Sequence, residues 1–312
     1  MGVLGIDTSC YRTSLAFTED GRILSDRRML LTVKPGERGL RQSEGLFQHV
    51  QNLPHLVEEV RRDIGERKAQ AVAVSIAPRG VEGSYMPVFT AGYAFAKGIS
   101  EMLSVPFFET NHQQGHIRAA LYGLDMEKGA FLAVHMSGGT TEVLEAGEGL
   151  SVRLIGGSKD LHAGQLVDRV GVKLGLSFPS GPEMELLARD GTSKSLLKAS
   201  VRGADCNLSG AEAEIMRLIE GGMTKEDAAA EVYSFLARTL AKMLLNAASD
   251  TGLKRVLLAG GVCSSAILKE LLAERIQRAN GDLRLHWAQP EYSGDNAVGV
   301  ALIGEDRLRR HC

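Results

Sequence analysis

The feature that most constrains the fold is a pattern found once in each half of the chain: an apolar strand, a turn of small polar residues, then a second strand. The first copy runs Val3-Leu4-Gly5-Ile6-Asp7, through the turn Asp7-Thr8-Ser9-Cys10, into Thr13-Ser14-Leu15-Ala16-Phe17, and Glu19-Asp20-Gly21-Arg22 then leads to a third strand at Ile23-Leu24. The second copy is Phe131-Leu132-Ala133-Val134-His135-Met136, the turn Ser137-Gly138-Gly139-Thr140, and strands at 141–145 and 151–155. Connections this short join antiparallel neighbours, so each copy reads as a meander. The similarity lies in the motif and not in residue-by-residue repetition. It predicts a duplicated, two-lobe protein with a ligand between the turns. The length of 312 residues agrees, since a single core stops growing at roughly 250–300 residues.

Helices and strands alternate after each opening, as in an α/β protein. In the first half an amphipathic helix is predicted over 43–63 with the apolar stripe Leu46, Val50, Leu53, Val57 and Val60. His49 and His55 read as packed or solvated histidines of that helix. A strand at 71–76, a loop at 77–84, a helix at 86–103 and a strand at 105–108 follow. In the second half helices are predicted at 163–174, 183–189 and 224–250, with an irregular loop between about 190 and 210 holding Asp205-Cys206-Asn207-Leu208-Ser209-Gly210. A strand at 254–259 runs through Gly260-Gly261-Val262 into a helix begun by Ser264 and Ser265. The chain closes with a strand at 283–286 and a helix at 297–310.

Composition excludes several classes of function. A formal net charge of -2 gives no global basic field of the kind an autonomous nucleic-acid binder shows, and 5% aromatics argue against a stacking-based RNA module. The four cysteines, Cys10, Cys206, Cys263 and Cys312, show no Cys-x-x-Cys spacing, which fits a reducing compartment and makes the cytoplasm the expected location. The first residues form an apolar strand without a basic leader, and no apolar run approaches the ~18 residues of a membrane span, so a soluble protein without a membrane partner is expected.

The chemistry concentrates in Glu109-Thr110-Asn111-His112-Gln113-Gln114-Gly115-His116-Ile117-Arg118, just past a strand end. His112 and His116 are four residues apart on a helix, so both imidazoles lie on one face and can share a divalent transition metal with at least one further ligand. A zinc peptidase of the His-Glu-x-x-His type needs a glutamate base inside the pair, and position 113 is Gln. Asp295, ahead of the final helix, reads either as its N-cap or as the third ligand. The strand, Gly260-Gly261 and helix arrangement reads either as an anion or nucleotide site or as a tight turn.

Taken in order, Asn111-His112-Gln113-Gln114-Gly115-His116, Ser137-Gly138-Gly139, Gly164 with Asp168, Phe178-Pro179-Ser180-Gly181-Pro182, Gly260-Gly261-Val262 and Asp295-Asn296 resemble the TsaD family over essentially the whole chain. These are the bacterial tRNA threonylcarbamoyladenosine synthase subunits once called Gcp or O-sialoglycoprotein endopeptidase. The resemblance implies an actin/Hsp70/sugar-kinase-like α/β fold of two lobes, 1–129 with the helix 294–312 packing back on it, and 130–293. It implies a metal triad of His112, His116 and Asp295 holding iron or zinc. Substrate contacts would fall at His135, Met136, Ser137, Gly138, Gly139, Asp168, Gly181 and Ser265, and no catalytic residue is assigned. The implied reaction moves a threonylcarbamoyl group from an adenylate, an ATP-type nucleotide moiety, to a tRNA adenosine, with TsaB- or TsaE-like protein partners.

Four segments depart from the family pattern. Tyr11-Arg12 replaces an Asp-Glu pair, Thr140 a histidine, Ser265 an asparagine, and Ala77-Pro78-Arg79-Gly80-Val81 a Gly-Pro-Gly-Leu loop. The changes cluster on the nucleotide and reaction side and spare the triad, as in a diverged paralogue. Two alternatives stand beside the transferase: a metal-dependent carbamoyltransferase with a different acceptor, and a catalytically impaired subunit that holds nucleotide or metal for a partner. A tRNA-acting enzyme is expected to carry a basic patch built from Arg12, Arg79 and Arg118.

Overall fold

The computed structural model describes residues 1–33, 40–126, 129–279 and 281–311, so Cys312 lies outside the described residues. The strands are β1 (Gly2–Thr8), β2 (Arg12–Glu19), β3 (Arg22–Leu30), β4 (Ala71–Ser75), β5 (Phe107–Thr110), β6 (Phe131–Met136), β7 (Thr141–Ala146), β8 (Val152–Gly157), β9 (Ser200–Arg202), β10 (Asp205–Asn207), β11 (Arg255–Ala259) and β12 (Arg284–Trp287). The helices are α1 (Gln42–Ile64), α2 (Val88–Leu103), α3 (His112–Ala120), α4 (Ala163–Lys173), α5 (Gly181–Asp190), α6 (Ser209–Glu220), α7 (Lys225–Thr251), α8 (Ala266–Arg278), α9 (Pro290–Ser293) and α10 (Val298–His311). They fall into two compact units, Met1–Tyr122 with Gly294–Cys312, and Gly123–Ser293.

The first unit is built on a five-stranded sheet of order β3-β2-β1-β4-β5. β1 and β4 are buried along their whole lengths, as their unbroken apolar runs require of strands covered on both faces. The β2–β3 turn places Asp20 at φ 51° and Gly21 at φ 76°, the two positive values that a tight two-residue hairpin needs. Helix α1 buries Gly45, His49, Leu53, Leu56, Val60 and Ile64. Val50, expected in the apolar stripe, is instead 57% exposed, because it lies one residue and roughly 100° around the helix from His49. β5 starts two residues later than predicted, after Val105 and Pro106, and Pro106 has no N–H to give a ladder.

The second unit repeats the plan with a five-stranded sheet of order β12-β11-β6-β7-β8. α7 is buried on nearly every side and forms its central support. The predicted irregular loop before residue 210 holds a two-stranded ribbon, β9 with β10, followed by α6. Three-residue strands are too short to show periodicity. The start of α6 is held by a distant group: the Asp160 carboxylate accepts the N–H groups of Leu208 at 2.8 Å and Ser209 at 3.2 Å, so no local capping signal marks it. Among the described residues Cys10, Cys206 and Cys263 are free thiols, and no helix is long and apolar enough to cross a membrane.

One buried acid ties this unit together. Glu231 on α7 accepts from Ser193 Oγ at 2.7 Å, the Leu197 N–H at 3.0 Å and Arg238 Nη2 at 3.3 Å. Burial raises its pKa, but these donors outweigh burial and hold it below the ordinary glutamate value. Glu231→Ala strands the largely buried Arg238 charge and should cost roughly 3 kcal/mol, lowering the thermal midpoint by about 6–12 °C in melts at neutral pH. With a depressed folded pKa, the contribution is full above the unfolded value of about 4.3 and is lost as pH falls through the folded value. The gap between wild type and variant should therefore narrow in acid.

Candidate functional site

The first constellation lies in the first unit, at the end of β5. Asn111 caps α3 by accepting the Gln114 N–H at 2.9 Å, and the first turns of that helix present His112 and His116 on one face. Asp295 arrives from the far end of the chain. It does not cap α10: Asn296 does, accepting the Val298 N–H at 3.0 Å, and the N-cap reading of Asp295 is corrected accordingly. Two glycines let α10 come close enough. A Cβ on Gly299 would stand 1.8 Å from the Gly115 carbonyl oxygen of α3, and one on Gly5 of β1 would stand 2.5 Å from the Ala301 nitrogen.

The three side chains converge. His116 Nε2 lies 3.0 Å from His112 Nε2 and 3.1 Å from Asp295 Oδ1, and His112 Nε2 lies 3.6 Å from the same oxygen. Bonds of about 2.0–2.2 Å to one metal separate neighbouring ligand atoms by roughly 3.0–3.5 Å, so the two-imidazole, one-carboxylate set fits a divalent transition metal. Burial opposes charge on His112, yet the Asp7 and Asp295 carboxylates outweigh it and raise its pKa well above the usual histidine value. Burial also opposes charge on Asp295, and the two histidines outweigh it and hold that carboxyl well below its usual range.

The second constellation lies in the second unit, where a cavity of about 440 Å³ opens at the ends of β6 and β11. Of the predicted substrate contacts, Ser137, Gly138, Asp168, Gly181 and Ser265 line it. His135, Met136 and Gly139 do not: Met136 is buried in the core, His135 is on β6 with it, and Gly139 is at the exposed tip of the turn. The turn is closed by Ser137 N–H donating to the Thr140 carbonyl at 2.8 Å, and Gly164 N–H donates to the Ser137 carbonyl at 3.1 Å. A Cβ on Gly164 would stand 2.6 Å from the Gly138 nitrogen, so only glycine lets α4 start flush against this turn. Gly260, at φ +100°, lies as close over Met136, whose carbonyl oxygen would be 2.2 Å from a Cβ there.

Asp168 Oδ1 accepts the Ser180 N–H at 2.8 Å, and Ser265 caps α8 by accepting the Leu268 N–H at 3.3 Å. Two polar lining residues were missed by sequence reasoning. Tyr233 donates its hydroxyl to the Gly181 carbonyl at 3.2 Å, and burial pushes its phenol pKa above the ordinary range. Glu185 accepts the Ala266 N–H at 2.9 Å, tying α5 to α8. A tyrosine within an Ala/Leu-rich helix, and a glutamate one helical turn after Gly181, were the available signals.

The expected basic patch is not assembled as one. Arg12 Nη1 donates to the Asp295 carbonyl at 2.9 Å, Arg118 pairs with Asp306 at 2.8 Å, and Arg79 lines a separate cavity with Tyr85 and Asn111. Tyr11 stands 53% exposed beside Arg12.

Comparison with known proteins connects the two constellations to a family. The sequence model of TsaD, tRNA N6-adenosine threonylcarbamoyltransferase, matches residues 44–302. A tRNA N6-adenosine threonylcarbamoyltransferase of Thermus thermophilus is 33% identical over 317 residues, covering 99% of this chain and 94% of that protein. Among solved structures, HypF from T.kodakarensis matches with a TM-score of 0.65 at 16% identity, over 99% of this chain and 48% of HypF, so the chain spans about half of that protein. A ROK family glucokinase from Streptomyces griseus matches with a TM-score of 0.56 at 14% identity, over 98% of this chain and all of the glucokinase. These likenesses identify the two sheets with their helices as the α/β fold of the actin/Hsp70/sugar-kinase class. By its sequence match across both units, the chain belongs to the TsaD family of tRNA N6-adenosine threonylcarbamoyltransferases.

Proposed function

We propose that this chain transfers a threonylcarbamoyl group from an adenylate donor to N6 of a tRNA adenosine, with one divalent iron or zinc ion held by His112, His116 and Asp295. The observation that carries the reading is the convergence of those three ligand atoms, drawn from α3 and from the segment before α10. The bound ion would supply a Lewis acid for orienting and polarising the donor. In the transfer the N6–carbonyl carbon bond forms, the carbonyl carbon–phosphate oxygen bond breaks, AMP leaves and N6 loses a proton. A mixed anhydride already carries a good leaving group, so positioning and charge stabilisation can supply most of the rate.

The donor's nucleotide moiety is assigned to the cavity of the second unit. The exposed backbone of Gly138 and Gly261 offers amides to phosphate, and Asp168, fixed by Ser180, offers a carboxylate to a ribose hydroxyl. The S. griseus glucokinase was solved with AMPPNP, which supports a nucleotide in this fold. Asp168→Ala should weaken AMP binding about tenfold, read by titration calorimetry. With a net charge of -2 and Arg12 and Arg118 already engaged, tRNA recruitment is assigned largely to TsaB- or TsaE-like partners. The three free thiols among the described residues suit a reducing cytoplasm.

A carbamoyltransferase with a different acceptor is the second reading, favoured by the Arg12 guanidinium placed against the Asp295 carbonyl. Complementation of a strain depleted of its own TsaD separates the two. Rescue with restored N6-threonylcarbamoyladenosine supports tRNA transfer; no rescue by a stable, metal-loaded protein supports the other acceptor.

A further inference from the structure

We infer that the turn closing β1, through Asp7 and Ser9 and braced by His49 of α1, is the supporting shell that orients two of the three metal ligands. The inference rests on the metal reading above and concerns three residues outside the triad.

Asp7 is fully buried, and its carboxylate oxygens lie 2.9 and 3.1 Å from His112 Nδ1. A carboxylate only accepts there, so Nδ1 carries a proton and Nε2 is the nitrogen that is free of one when a metal binds. Ser75 Oγ also donates to Asp7, which fixes the carboxylate from the neighbouring strand β4. Two residues on, Ser9 Oγ donates to Asp295 Oδ2 at 2.5 Å. That bond occupies one carboxylate oxygen and turns the other, Oδ1, toward the two histidines. One short stretch thus sets the tautomer of one ligand and the rotation of another.

The stretch is itself held in place. Ser9 N–H donates to the Arg12 carbonyl at 3.0 Å, and the Ser9 carbonyl accepts from His49 Nε2 at 2.9 Å. His49 is fully buried, and its Nδ1 lies 2.8 Å from Thr13 Oγ1, which in turn accepts from Asn52 Nδ2 at 3.1 Å. Of the two settings expected for it, packed or solvated, His49 takes the packed one, and its ring spans the two arms of the β1–β2 turn. Supporting groups of this kind typically govern metal affinity by 10–100-fold.

The test uses the purified full-length protein stripped of metal and titrated with Zn(II) against a chromophoric chelator, and with Co(II) followed by its visible d–d absorption. Asp7→Asn, which keeps the side-chain shape, should bind Zn(II) 10–100-fold more weakly than wild type and shift the Co(II) band. Ser9→Ala should weaken binding in the same direction, and it carries the test if Asp7→Asn does not fold. Equal affinity and an unchanged Co(II) spectrum in folded variants would overturn the inference while leaving the metal site standing. Failure of the wild-type protein to bind either ion would overturn the metal reading, and this inference with it.

Discussion

His112→Ala protein should carry no stoichiometric metal by elemental analysis, and its transfer activity should fall on the order of 10³-fold or more, the loss of several kcal/mol of charge stabilisation. Only one imidazole and one carboxylate would remain, fewer than the three protein ligands a catalytic transition-metal site uses. The same change leaves Asp7 buried without its histidine donor, at a cost of about 1–3 kcal/mol. His112→Asn separates the effects. Its amide can stand where Nδ1 stood and restore the bond to Asp7, so stability should recover in part while the metal stays absent. Wild-type metal content in His112→Ala would show that the triad is not a metal site.

Gly299→Ala should disable the protein without touching a ligand. The added Cβ would meet the Gly115 carbonyl oxygen at 1.8 Å and the Ala119 nitrogen at 2.7 Å, both backbone atoms, so α10 must move off α3. Overpacking of this severity is expected to cost about 3 kcal/mol or more, and the displacement draws Asp295 away from His112 and His116. Thermal melts and metal content should therefore fall together. Gly98→Ala is the control: it lies within α2, its Cβ would meet nothing within 4 Å, and it should be neutral or stabilise by up to about 1 kcal/mol. Equal melting temperatures for the two variants would contradict the packing account.

How much of this was legible in the sequence depended on how local the cause was. The β1–β3 meander, the α3 histidine pair and the strand-to-turn openings of both units were readable, because each is fixed by residues within a few positions. The start of α6 was not, because its cap is Asp160, far away in sequence. Asp295 offered two readings, N-cap or metal ligand, because Asp before a helix commonly caps it, and here Asn296 takes the capping bond. Met136 is implied as a substrate contact by its place in the motif, and the fold puts its side chain in the core of the second unit and its backbone under Gly260. Asp7 showed only a polar turn at a strand end, and its reach to His112 depends on the β1–β4–β5 order, which only the folded sheet supplies.

The most direct measurement supplies the purified chain, together with TsaB- and TsaE-like proteins, with threonylcarbamoyl-adenylate and an unmodified tRNA, and analyses the nucleosides by mass spectrometry. The account predicts N6-threonylcarbamoyladenosine in amounts that follow protein concentration, fall away after metal chelation and return when iron or zinc is restored. A folded, metal-loaded protein that releases AMP without modifying the tRNA, or that modifies it equally well after chelation, would contradict it.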